Sequence, residues 1–283
     1  MTSTTSNHDL VQLTWKEMGE KSGNFNEKFS QALKDGFFYV EIPVELKANI
    51  EKTKEFGNGL RANEFIKQLK LHDRLDYQER QGTQDAAFGA MNKHWETVFP
   101  DPVKDLAIAM NATALDILKA ALKHLSVPEN LWSQATGELT DDKGANVFSF
   151  NNYKPGEQKI GLTPHKDLGW ITLLFIDKMG LETSLDGKKW IPIPPKEGYF
   201  VVNFGQAFEI LINSTDKLRA SLHRVRRLEE ERVTFGIFNF QKEGAEIFQM
   251  KESGNLEHFA TYGEYLNLCY AEFARAQKEI KED

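Results

Sequence analysis

Between Ala145 and Met250 short runs of β-forming residues alternate with turn residues, and no other feature narrows the folds open to the chain as much. The runs are Val147–Tyr153, Gly169–Phe175, Lys189–Ile193, Tyr199–Phe204 and Arg232–Phe240. Between them stand Pro155 and Gly156, Asp186 and Gly187, Pro194 and Pro195, and Glu197 and Gly198. Asp186-Gly187, lying between Leu185 and Trp190, predicts a hairpin. Many short strands at this spacing predict an all-β sandwich or barrel, with a jelly roll as the natural candidate.

The flanks read differently. Phe25–Leu33 has helical spacing, Lys34 to Gly36 stops it, and Phe37–Ile42 reads as a single early strand ended by Pro43. Pro43 to Phe56 looks helical again. A longer helix is expected with Asp101 as its cap and Pro102 at its first position, followed by the stripe Leu106, Met110, Ala114, Ile117, Leu118, Ala121, Leu122 and Leu125. Pro128 lies just past its end. A C-terminal helix follows Tyr262 and carries Leu268, Phe273 and Ala276. The expected organisation is one domain over 1–283. It comprises an N-terminal helical region with one strand (1–140), a jelly-roll core (141–250) and a C-terminal helix (251–283).

The 283 residues show no compositional break, which agrees with one sizeable core. With 35 basic and 42 acidic residues the formal net charge is −7, which argues against nucleic acid or an anionic membrane as partner. A local basic pocket for a small acid stays open, because net charge says nothing of single sites. Cys269 is the one cysteine, so an intrachain disulfide and a CxxC zinc site are excluded, and a buried structural thiol is expected. Met1 to His8 is polar and carries no secretory signal, and no run approaches the ~18 apolar residues of a membrane span. A cytoplasmic protein, monomeric or weakly homo-oligomeric, is expected.

Residues i and i+2 of a strand share a face, so His165 and Asp167 offer an imidazole and a carboxylate side by side. They stand just before the apolar run Trp170–Phe175. His223, within Ser221–Val225, is the best third ligand. Two imidazoles and one carboxylate on one side of a metal suit iron(II) that activates dioxygen. On the residues alone this is a weak signal. Among seven histidines such a spacing arises by chance, and a His165–Asp167 hydrogen bond on a surface loop fits as well. His8, His72, His94, His124 and His258 stand in polar, helical or terminal contexts.

The surroundings add more. Asn151, Asn152 and Tyr153 are followed by a block from Gly161 through Pro164, His165 and Asp167 to Leu174. Then come Gly180–Glu182, Asp186–Trp190, Pro194–Pro195, Gly198–Gly205, His223–Val225 and Arg232–Thr234. In order and spacing these blocks resemble the isopenicillin N synthase-like group of iron(II)/2-oxoglutarate-dependent dioxygenases. Weaker likeness in Ala32–Val40 and Tyr262–Leu266 extends the resemblance over most of the chain. It implies a mainly β fold with flanking helices, built on a double-stranded β-helix (jelly-roll, cupin-like) core. It implies His165, Asp167 and His223 as iron(II) ligands and catalytic set, with 2-oxoglutarate as co-substrate and dioxygen as oxidant.

In that family an Arg-x-Ser pair on a late strand holds the far carboxylate of 2-oxoglutarate, and Arg232 with Thr234 fits the role. Strand alternation puts both on one face and Val233 on the other, and a guanidinium fork beside a hydroxyl suits a carboxylate. Without the upstream blocks, pairing of an exposed Arg232 with Glu229, Glu230 or Glu231 is the better reading. The sequence departs from the family in having threonine for serine and a slightly short interval from His223 to Arg232, which calls for a tighter loop. Arg224, Arg226 and Arg227 lack a hydroxyl two positions on. Asn151 and Tyr153 share a face and match positions that contact 2-oxoglutarate in relatives, though Tyr153 also fits as a core aromatic.

The implied activity is oxidation of an unactivated C–H bond of a small metabolite, by hydroxylation, desaturation or ring closure, in specialised metabolism. Phe238 and Phe240 fall on the face of Arg232, and Phe175 and Phe204 are further candidates to line a substrate pocket; core packing accounts for all four equally. Lys159, Lys166 and Arg224 flank the expected mouth, where they meet either an acidic substrate or water. Two other functions use the same residues: a 2-oxoglutarate-independent iron oxidase of the same fold, and a non-catalytic jelly-roll module that binds a small acid. A zinc hydrolase would use the three ligands but leave Arg232 and Thr234 unexplained.

Overall fold

A computed structural model describes residues 10–20, 23–71 and 76–271, and in it the alternating second half forms a jelly roll. The first half supplies β1 (Gln12–Leu13), β2 (Phe37–Glu41), β3 (Gln78–Glu79) and β4 (Asp85–Met91). The second half supplies β5 (Val147–Tyr153), β6 (Leu162–His165), β7 (Ile171–Ile176) and β8 (Leu181–Ser184). It continues with β9 (Ile191–Pro192), β10 (Tyr199–Phe204), β11 (Leu222–Val225) and β12 (Arg232–Asn239). A hairpin of β13 (Ile247–Met250) and β14 (Leu256–Ala260) leads into helical residues 262–271. Phe273 and Ala276 of the expected C-terminal helix lie outside the described residues, as do His8 and His72.

The major sheet runs β1-β2-β10-β7-β12-β5-β4-β3 and the minor sheet β6-β11-β8-β9. From β5 to β8 the chain passes from one sheet to the other at every strand, and it does so again from β9 through β12. That winding is the jelly-roll core. On the major sheet, Leu173, Val202, Phe204, Phe235 and Ile237 turn outward and join the buried stripe of the helix Asp101–His124 in one core. Phe148, Phe150 and Phe235 pack there with ring centroids 5.4, 5.8 and 6.0 Å apart. Burying each such ring contributes about 1.5–3 kcal/mol. The opposite face carries a smaller apolar cluster of Phe37, Tyr39, Ile176, Leu181, Ile193 and Val201. Beside that cluster Thr172, Asn203, Arg232 and Thr234 line a cavity instead of filling it.

Among the described residues the first half holds four strands where one is expected. Most important is β4, which pairs with β5 at every position from Asp85↔Tyr153 to Met91↔Val147 and is buried throughout. Its Asp-Ala-Ala-Phe-Gly-Ala-Met composition has little β propensity, so its strand form comes from the neighbour it pairs with. The long helix has Pro100 rather than Asp101 as its cap, because the amides of Val103 and Lys104 both donate to the Pro100 carbonyl, at 2.9 and 3.0 Å. Pro43–Phe56 divides into a short 3-10 turn, Val44–Leu46, and the helix Lys47–Asn58. Lys189–Ile193 contracts to β9, yet the hairpin is present. Asp186 Oδ1 accepts the amides of Lys188 and Lys189 at 2.8 Å each, while Gly187 takes φ +74°. Cys269 is buried.

Candidate metal centre and co-substrate pocket

His165 ends β6 and His223 stands directly opposite it on β11, so antiparallel pairing alone brings the two rings to 4.3 Å between centroids. Phe37 closes edge-on against His223 at 5.6 Å. Asp167 is not on the strand. It lies in the turn between β6 and β7, held by the Gln206 amide donating to its carbonyl at 2.8 Å. Its Oδ1 is 3.8 Å from Nε2 of each histidine, and the three potential ligand atoms lie within 4.8 Å of one another.

The remaining polar atoms of the three side chains are occupied. Nδ1 of His165 donates to the Thr163 carbonyl at 2.8 Å, and Nδ1 of His223 to the Ser221 carbonyl at 3.0 Å. Each bond fixes the tautomer whose Nε2 carries a lone pair toward the centre. Asp167 Oδ2 accepts Thr172 Oγ1 at 2.6 Å and Asn203 Nδ2 at 2.7 Å, which leaves Oδ1 to the histidine side. Sequence reasoning missed Thr172 and Asn203, although a lone polar residue inside each apolar run was a usable signal.

Charge follows the geometry. Burial, reinforced by the nearby His223, pushes the His165 imidazole down to about 4, so the ring is neutral and ready to ligate near neutral pH. Burial pushes the Asp167 carboxyl up. The two imidazoles and the hydrogen bonds from Thr172 and Asn203 outweigh that and hold it below its ordinary 3.8. Two imidazole nitrogens and a carboxylate converge at a buried point, with the rest of the coordination sphere left to the cavity. That donor set fits iron(II).

The same cavity, of about 210 Å³, contains all four residues expected at the co-substrate. On β12 and β5, Arg232 is the direct cross-strand partner of Tyr153, and Thr234 of Asn151. Arg232 is 3% exposed; its Nε donates to the Lys178 carbonyl at 3.2 Å, and neither Nη1 nor Nη2 has a hydrogen-bond partner. Its guanidinium lies 5.2 Å from the centre of the Tyr153 ring. Burial lowers the Arg232 pKa, and burial raises the Tyr153 hydroxyl to about 12. The charges of Tyr153 and Asp177 act on the guanidinium, but no carboxylate among the described residues forms an ion pair with it, and a buried fork so placed is the complement of a bound carboxylate.

Two of the three alternative partners are occupied elsewhere: Glu230 pairs with Lys178 at 3.0 Å and Glu229 with Arg227 at 3.3 Å. Asn151 donates to Asp85 Oδ2 at 3.3 Å. Phe238 and Phe240 line the cavity as expected, whereas Phe175 and Phe204 do not. Both of the latter sit at outward positions of their strands, Phe175 stacked 4.8 Å from Phe235 and Phe204 packed 5.5 Å from Phe208. Of the three cations expected at the mouth, Lys166 lines an adjoining cavity. Arg224 instead stacks over Trp190 at 4.1 Å and pairs with Glu182 at 2.7 Å, and Lys159 is exposed and lines neither cavity. Arg80, which no motif marked, lines both cavities.

Among known proteins, the family model of the 2OG-Fe(II) oxygenase superfamily matches residues 145–241. Scopoletin 8-hydroxylase of Arabidopsis thaliana is 28% identical over 178 residues, 62% of this chain and 48% of that protein. Jasmonate-induced oxygenase 3 of the same plant is 26% identical over 248 residues, 84% of this chain and 67% of the relative. The first of these alignments spans about half of the relative's length. The rice dioxygenase for auxin oxidation superimposes with a TM-score of 0.73 at 19% identity, covering 93% of this chain and 96% of that one, which bears on the fold. No helix among the described residues is long and apolar enough to cross a membrane.

Proposed function

Because the chain belongs to the 2OG-Fe(II) oxygenase superfamily, we propose that it is an iron(II)- and 2-oxoglutarate-dependent oxygenase oxidising an unactivated C–H bond of a small molecule. One observation carries the reading: a buried guanidinium whose terminal nitrogens make no hydrogen bond shares a cavity of about 210 Å³ with two histidines and a carboxylate whose ligand atoms lie within 4.8 Å of one another. Relatives named for scopoletin hydroxylation and auxin oxidation support a small-molecule substrate and a role in specialised metabolism.

In this reading His165 and His223 hold iron(II) through Nε2 and Asp167 through Oδ1. When bound, the metal supplies the centre at which dioxygen is reduced as 2-oxoglutarate is decarboxylated to succinate and the substrate is oxidised. Thr172 and Asn203 keep Asp167 turned the right way by occupying its second oxygen. Arg232 and Thr234 receive the far carboxylate of 2-oxoglutarate, with Tyr153 beneath the guanidinium. Phe238 and Phe240 keep water from this part of the pocket.

The test is turnover of carboxyl-labelled 2-oxoglutarate with iron(II) against a metabolite library. Labelled carbon dioxide and succinate formed in step with an oxidised product are expected. Oxidation of a substrate without consumption of 2-oxoglutarate would leave the 2-oxoglutarate-independent oxidase. Failure to bind iron(II) or 2-oxoglutarate would remove the oxygenase reading.

A further inference from the structure

Alongside the metal pocket lies a larger cavity of about 510 Å³, and His165 and Arg80 are walls of both. Its size is that of a site for a small organic ligand. Leu162, Pro164, Leu168 and Leu222 give it an apolar lining. Its charged lining is one-sided: Arg80 and Lys166 are present, and no carboxylate lines it among the described residues. In a chain with 42 acidic against 35 basic residues, that runs against the overall balance.

Arg80 is held from behind. Its Nη1 donates to Asp85 Oδ2 at 2.7 Å, and the Asp85 side chain is fully buried while 43% of the Arg80 side chain is exposed. Asp85 is itself fixed by Thr83 Oγ1 at 2.5 Å and by Asn151 Nδ2 at 3.3 Å. The guanidinium is thus oriented by a saturated carboxylate, while the arginine side chain lines the boundary between the two cavities. Lys166 is braced in the same way by Glu209 at 2.8 Å, and Glu209 also accepts the Ala220 amide at 2.6 Å. A planar fork oriented in advance suits a carboxylate better than a mobile surface cation does.

We propose that the primary substrate occupies this cavity and is a carboxylic acid with an apolar body, its carboxylate held by Arg80 with Lys166 as the second cation. The inference rests on the oxygenase reading for which bond is oxidised, but not for the binding of the acid. Arg232 serves the co-substrate in the smaller cavity, so two arginines divide two acids between them.

The test is calorimetric titration of the full chain loaded with manganese(II) and 2-oxoglutarate, using phenylpropionate, cinnamate and decanoate against their primary amides. At least one acid is expected to bind about tenfold more tightly than its own amide. The double substitution Arg80→Gln with Asp85→Asn, which leaves no unpaired charge, should erase that preference and leave amide binding as it was. If the double variant does not fold, Arg80→Lys, which keeps the charge and loses the fork, should lower acid affinity alone. The proposal is overturned if no acid of the panel binds, if acids and amides bind alike, or if the Arg80 variants keep the preference. Binding of 2-oxoglutarate to the metal-loaded protein is titrated separately, and its failure would count against the oxygenase reading instead.

Discussion

Asn203 donates its amide hydrogen to Asp167 Oδ2 at 2.7 Å, the carboxylate oxygen that the histidines leave alone, while Oδ1 lies 3.8 Å from both imidazoles. Thr172 makes the matching bond at 2.6 Å. Removing such a partner leaves the ligand in place but free to turn. Asn203→Ala or Thr172→Val is therefore expected to weaken iron(II) binding by about 10- to 100-fold. Anaerobic metal titration measures this, and an unchanged affinity in both variants would show that Asp167 is oriented by other means.

Arg232 leads to a prediction about the co-substrate alone. Its Nη atoms have no partner in the protein, so a bound carboxylate gains charge-assisted bonds without displacing others. Arg232→Gln should cost 2-oxoglutarate about 2 kcal/mol of binding, roughly thirtyfold in affinity. Iron(II) affinity should hardly move. Parallel titrations of the two ligands check the split.

How much of this was legible beforehand differs by residue. Arg232, Thr234, Asn151 and Tyr153 were readable because a strand has a period of two, and the register then makes them two cross-strand pairs. The same period puts Phe175 and Phe204 on outward positions of β7 and β10, a distinction the sequence reading did not draw among the four phenylalanines. His165 and His223 were legible only through the blocks around them, since nothing local specifies that β6 pairs with β11. Arg80 and Asp85 were invisible for a different cause. The strand that begins at Asp85 is rich in alanine and glycine and becomes a strand by pairing with β5.

The His165 ring titrates in a way that should appear in folding. Burial, then His223, lowers its pKa from 6.5 to about 4, so between those values the unfolded chain takes up a proton that the folded chain refuses. The contribution of His165 to stability is intact above about pH 6.5 and is lost as the pH falls toward about 4. Metal-free protein should lose on the order of 2 kcal/mol over that window, less than the full shift implies because the side chain is 21% exposed. Urea denaturation across the window measures it, and His165→Gln should flatten the profile.

Gly236 sits in the middle of β12, between β5 and β7. A Cβ there would lie 2.5 Å from the Leu173 carbonyl oxygen and 3.1 Å from the Leu174 Cα, both backbone atoms of a central strand that cannot step aside. Gly236→Ala should therefore destabilise the fold by about 1–3 kcal/mol. The strain falls on the strand that carries Arg232, Thr234 and Phe238, so 2-oxoglutarate affinity should fall with the melting temperature. A melting temperature equal to the parent's would mean that the sheet accommodates the methyl group.

Ligand linkage separates the two halves of the site in a single measurement. A ligand that binds only the folded state stabilises it by about 2.7 kcal/mol at a hundredfold excess over its Kd. The metal and 2-oxoglutarate should thus raise the melting temperature in two increments, and a chelator should remove both, because the co-substrate completes its site on the metal. Asp167→Ala takes away one of three ligands and leaves the two imidazoles, only 4.3 Å apart between ring centroids, without their shared carboxylate. It should abolish both increments. Arg232→Gln should keep the metal increment and lose most of the second, since the triad does not touch the guanidinium. If the Arg232 variant lost the metal increment as well, the two sites would be coupled through the strands that join them, and the separate roles assigned to β6, β11 and β12 would have to be merged.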